Sequence, residues 1–69
     1  MLTVKVAQLP GMFKEMALED GSTIADALRI AELSSDGFAV SLNGNRSELS
    51  AELEDGDTVT LAKSAKGNA

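Results

Sequence analysis

Four carboxylates crowd one short stretch of this chain: Glu52, Glu54, Asp55 and Asp57. Oxygen ligands at that density suit a hard cation, but the stretch lacks the spacing of an EF-hand loop, with its glycine at the sixth position and glutamate at the twelfth. Two carboxylates can also divide acid and base work between them, provided a pocket drives their pKa values apart, and an exposed turn supplies none. The chain has no histidine and no cysteine, which removes the usual proton shuttle, the thiolate nucleophile and the thiolate metal site. Its serines and threonines have no such base to activate a hydroxyl. The acidic stretch therefore reads as a solvated turn, with Gly56 serving the backbone and the carboxylates serving solubility. The chain is expected not to be an enzyme and to need neither cofactor nor metal.

Length and charge narrow the classes further. At 69 residues this is one domain, near the size at which a core alone suffices, since about 60 residues bury only about 60% of the unfolded surface. No apolar run approaches the ~20 residues that span a bilayer, so no membrane is expected and the location is read as cytoplasmic. The net charge is −5. Lys5, Lys14, Arg29, Arg46, Lys63 and Lys66 are scattered along an acidic background rather than clustered as phosphate neutralisation requires, and Phe13 and Phe38 are the sole aromatics for base stacking. Nucleic acid is not an expected partner.

The elements that position these groups follow from periodicity and turn chemistry. Leu2, Val4 and Val6 alternate with Thr3, Lys5 and Ala7 as in a half-buried strand, which Pro10 and Gly11 end, Gly11 by accepting the left-handed region. From Met12 to Leu18 a second strand is expected with the Met12, Lys14, Met16, Leu18 set inward and Phe13 outward. The internal methionines read as core filling. Asp20 and Gly21 break that strand. Thr23 then caps a helix expected over Thr23–Leu33, with Asp26 as a short-armed capping-box partner. Ile24, Ala27, Leu28 and Ala31 form its apolar stripe, extended by Ile30 and Leu33. Gly37 is a helix stop or loop hinge. Phe38, Val40 and Leu42 face inward on a third strand, and Asn43-Gly44 closes a tight hairpin. Leu49 and Leu53, four apart, read as one helical turn or tight coil with both anchors on one side. Asp55-Gly56-Asp57 turns the chain into a last strand, Thr58 to Ala62, with Val59 and Leu61 inward.

That order, hairpin, helix, hairpin, turn, strand, is an α+β β-grasp layout: a mixed four- to five-stranded sheet packed on one helix, with the last strand central and parallel to the first. Residues 1–63 form the domain and 64–69 a flexible tail. The run DGSTIADAL opening the helix, FAVSLNGNRSEL across the hairpin and LEDGDTVTLA before the tail together resemble the ubiquitin-like sulfur carriers of the molybdopterin and thiamine pathways. In that family a flexible tail ends in two glycines, whose carboxylate a partner enzyme adenylates and converts to a thiocarboxylate. This chain ends Lys66-Gly67-Asn68-Ala69, one glycine followed by two further residues.

Two kinds of function follow. In the first, the chain is a non-enzymatic binding module, a monomer when free, whose sheet face away from the helix shows Lys5, Ala7, Phe13, Ala39, Ser41, Thr60 and Ala62 to a protein partner, with Phe13 as the anchor. Arg46, after the hairpin turn, is available to a partner carboxylate. In the second, which the resemblance implies, the chain is a carrier or modifier precursor whose partner is an adenylating enzyme, and removal of Asn68 and Ala69 exposes Gly67, with Lys66 beside it.

Overall fold

The structure is a computed structural model that describes residues 1–63; the expected tail at 64–69, with Lys66 and Gly67, lies outside the described residues. In chain order the elements are β1 (Leu2–Gln8), β2 (Lys14–Leu18), α1 (Ile24–Ala31), β3 (Phe38–Leu42), β4 (Asn45–Arg46) and β5 (Thr58–Lys63). They form one mixed sheet in the order β2-β1-β5-β3-β4. The first and last strands are central neighbours and run parallel, with Val6 opposite Val59; every other pairing is antiparallel. This is the β-grasp layout that the alternation and the turns predict.

One face of the sheet packs on the helix. Val4, Val6, Leu18, Val59 and Leu61 meet Ile24, Ala27 and Leu28 in a single buried cluster, with Leu53 from the loop before β5. The helix starts where its cap dictates. Asp26 N–H donates to the Thr23 hydroxyl at 3.3 Å and Thr23 N–H donates to the Asp26 carboxylate at 3.0 Å, closing the reciprocal box. Two further donors of the first turn are met from outside the helix: Ile24 N–H by the Ala51 carbonyl and Ala25 N–H by the Leu49 carbonyl, both at 3.0 Å. Backbone of the 47–53 segment thus completes the helix start, which is what unpaired N–H groups at a buried end require.

Several expectations are corrected. The helix stops at Ala31 rather than Leu33, because Glu32 takes a left-handed φ of 62° and Leu33 N–H folds back to the Leu28 carbonyl at 2.9 Å. That reversal returns Leu33 to the core edge, the hydrophobic contact that accompanies such a cap. Gly37 is a loop hinge and not the stop, with φ 79°. Ile30 is exposed and does not extend the stripe, since at 100° per residue it lies about 110° round from the stripe's centre. Met12 is 89% exposed, and Lys14 is exposed too, because the ladder with β1 ends at the Val6–Lys14 pair and leaves Met12 in the connection. Gly11 serves close approach, not left-handed backbone: a Cβ there would stand 2.5 Å from the Gln8 carbonyl oxygen. Leu49 and Leu53 do not share a side. Residues 48–51 make a β-turn closed by Ala51 N–H to the Glu48 carbonyl, so Leu53 is buried while Leu49 is exposed.

Candidate functional site

The face of the sheet that α1 leaves uncovered is built in rows by register. Lys5 lies between Glu15 and Thr58. The next row runs from Ala7 through Thr60 and Ser41 to Arg46, and Ala39 pairs with Ala62 beyond it. Carrying the β1–β2 register one step past its last pair sets Phe13 opposite Ala7. Adjacent strands are about 4.8 Å apart, so Lys5 and Arg46, three strands apart, are roughly 14 Å apart across the sheet.

Six of the seven residues expected on this face remain open or half-open to water, and Ala7 does not. Ala7 is 1% exposed, so it is not a contact residue: its methyl is short and stands between Thr60 and the Phe13 position, whose longer side chains shade it. Phe13 is 51% exposed and lines a shallow hollow of about 480 Å³ with Lys5, Glu15 and Thr58. A second hollow of about 290 Å³ adjoins it along Thr3, Lys5, Glu15 and the Asp55–Thr58 segment. Open depressions with so few walls do not enclose a small molecule; they suit the relief of another protein.

Sequence reasoning missed the connection between β1 and β2. Leu9 continues the parallel ladder, its N–H donating to the Leu61 carbonyl at 2.7 Å, which sets Leu9 in register with Ala62. Leu9, Met12 and Phe13 are all exposed apolar side chains at one end of the open face. The pattern Leu-Pro-Gly-Met-Phe contained the signal, an apolar turn where polar residues are the rule, but assigning Met12 to the core concealed it.

The carboxylate-rich turn has a different role from the one expected. Asp55 accepts from Thr3 N–H at 2.8 Å, and Gly56 N–H donates to the Thr3 carbonyl, also at 2.8 Å. Asp57 accepts from Glu54 N–H at 2.7 Å and from the Asn43 side-chain amide at 3.0 Å, while the Asn43 side-chain oxygen accepts from Thr58 N–H at 2.9 Å. Two of the four carboxylates therefore clasp the start of β5 to β1 and to the β3–β4 turn. Asn43 and Gly44, at φ 54° and 88°, form the predicted tight hairpin turn. Glu52 and Glu54 are exposed. Among the described residues no group of three His, Cys, Asp or Glu side chains is placed to hold a metal ion.

The Asp26 carboxyl is displaced from its ordinary value. Asp26 is held low, first by the Thr23 backbone N–H, with the Thr23 hydroxyl and Arg29 adding to it and desolvation opposing. It belongs to the helix cap and not to the open face.

No family model matches the chain, and no curated protein sequence does. Solved structures resemble it closely in fold. A Pyrococcus furiosus chain described as molybdopterin converting factor subunit 1 superposes with a TM-score of 0.77 at 19% identity, covering 91% of this chain and 98% of that one. The small archaeal modifier protein 1 of Haloferax volcanii gives 0.75 at 16% identity, over 91% and 98%. A chain from the complex of subunits 1 and 2 of the molybdopterin-converting factor of Helicobacter pylori gives 0.71 at 17%, over 97% and 100%. At these identities the likeness establishes the ubiquitin-like β-grasp fold, and function has to be argued from the surface.

Proposed function

We propose that this chain is a small, non-enzymatic ubiquitin-like protein that works by binding a partner protein through its open sheet face. The observation that carries the reading is Phe13, a half-exposed aromatic beside Lys5, Glu15 and Thr58, on a face whose central positions Thr60, Ser41, Ala39 and Ala62 are small. A few large side chains, aromatic ones prominent among them, carry most of the energy of a protein contact, ringed by near-neutral neighbours. The complex formed by the Helicobacter pylori neighbour supports partnering as the mode of action. A photo-crosslinking residue placed at Phe13 in the source cell is expected to trap a defined protein, and the same residue at Ile30, on the helix, is not. With that protein purified, Phe13→Ala should weaken the complex by at least ~1 kcal/mol while the domain stays folded. Equal trapping from both positions would end the reading.

A second reading has its own support in the fold shared with a modifier and with molybdopterin converting factor subunits. In it the chain is a carrier or modifier precursor, trimmed of Asn68 and Ala69 and activated at Gly67 by an adenylating enzyme. The two readings part on the mass of the protein recovered from its own cell. Loss of Asn68 and Ala69, or a thiocarboxylate on Gly67, favours the carrier; an intact Ala69 together with no adenylation removes it.

A further inference from the structure

The tip of the β3–β4 hairpin is tied down by its own asparagine. Leu42 pairs with Asn45, so Asn43 and Gly44 are the central residues of the turn, and their φ values of 54° and 88° are those of type I′. Asn43 is held to the start of β5 at three points. Its N–H donates to the Thr58 carbonyl at 2.7 Å, its side-chain oxygen accepts from Thr58 N–H at 2.9 Å, and its side-chain amide donates to Asp57 at 3.0 Å. Yet Asn43 and Gly44 are both exposed, and β4 beyond them has only 2 residues, so the tip can open locally while the rest of the sheet stays paired. An asparagine followed by glycine has a reaction of its own, because no Cβ hinders the glycine nitrogen. The Gly44 nitrogen gives up its proton and bonds to the Asn43 Cγ, the Cγ–Nδ2 bond breaks, and ammonia leaves behind a cyclic imide. Water then opens the ring. Attack at Cγ leaves aspartate at position 43, and attack at the main-chain carbonyl leaves isoaspartate, with Cβ drawn into the main chain.

We propose that Asn43 is a deamidation site that the folded hairpin protects, and that its product keeps the hairpin tip open. Protection has two parts. In a type I′ turn the first central residue has ψ of about +30°, which carries the next nitrogen to the side of the Cα–C bond away from the side chain. The three hydrogen bonds to Asp57 and Thr58 then keep Asn43 from rotating into position for attack. Once the tip opens and the reaction runs, the clasp cannot be remade. Asp57 meets a carboxylate oxygen where it had a donor, and two like charges at hydrogen-bond distance repel. Isoaspartate adds a main-chain atom to a turn built for two residues. Asn45 is an internal control: it too is exposed, but Arg46 follows it, and a Cβ there hinders the same attack. This inference stands independently of the open-face reading.

The test is the rate at which the intact chain gains acid at position 43 in mildly alkaline buffer, followed by mass and assigned by fragmentation of its peptides. Asp57→Ala removes one of the three ties and should speed conversion roughly five-fold or more, the factor that one lost hydrogen bond is worth in an opening equilibrium. Thr23→Ala weakens the domain at the helix cap, away from the clasp, and should leave the rate near that of the unaltered chain. Conversion of the unaltered chain should be faster still in urea, a comparison that stands even if Asp57→Ala fails to fold. Asn43→Asp, which supplies the product directly, should speed amide exchange at Glu54 and Thr58. Equal rates with and without urea would overturn the proposal, as would a Thr23→Ala chain that converts as fast as Asp57→Ala, since the route would then be global unfolding. Conversion at Asn45 in place of Asn43, or unchanged exchange in Asn43→Asp, would overturn it as well.

Discussion

On the covered face of the sheet the two central strands contribute Val4, Val6, Val59 and Leu61, each shut off from water, while on the open face the same strands present Thr3, Lys5, Thr58 and Thr60. The backbone, the register and the twist are common to both. The difference lies in what each side chain does for the fold. Covered residues supply the apolar burial that holds a chain of this size together, at about 25 cal/mol per Å². Open-face residues satisfy the β-preference of their positions and leave their outer surfaces uncommitted, so their identity is free to vary while the covered face is held by packing.

The contrast can be broken or sharpened by substitution, starting with the largest effect. Leu28→Ala, on the helix side of the core, should lower the unfolding free energy by about 2 to 5 kcal/mol in urea titrations. A loss below about 1 kcal/mol would mean the helix is a loose cover and not half of the core. Asp57→Ala leaves Glu54 N–H and the Asn43 amide without their acceptor and should cost about 1 to 2 kcal/mol, with faster amide exchange at Glu54. If the acidic turn is there for solubility alone, stability will not change.

Smaller effects come from the helix ends. Thr23→Ala should cost about 1 kcal/mol. The same cap sets a pH dependence: the folded Asp26 pKa lies below its unfolded value, so the cap's contribution is complete above about pH 4 and is lost as pH falls through the folded pKa. Thr23→Ala should flatten that acid limb of the stability profile. At the other end, Glu32→Gly should stabilise by about 0.5 to 1 kcal/mol, since glycine adopts the left-handed φ without strain, and a higher melting midpoint checks it. The least change is expected on the open face itself, where Phe13→Ala should alter stability by less than about 0.5 kcal/mol. A loss of core size there would move Phe13 into the covered set.

The sequence by itself determined whatever is decided within a few residues. Thr23 and Asp26 cap one helix across a single turn, Asn43-Gly44 closes a hairpin because both positions tolerate positive φ, and strict alternation in β1, β3 and β5 separates a covered face from an open one. Those local devices, taken together, were enough to read the β-grasp order. What only the tertiary structure decided depends on groups far apart in the chain. Asp55 reaches Thr3 across fifty-two residues and Asp57 reaches Asn43 across fourteen, so no local pattern distinguishes clasping carboxylates from solvated ones. Ala7 is buried because of its neighbours on two other strands, and Leu33 returns to the core because Glu32, a residue with no intrinsic preference for it, is held in the left-handed region.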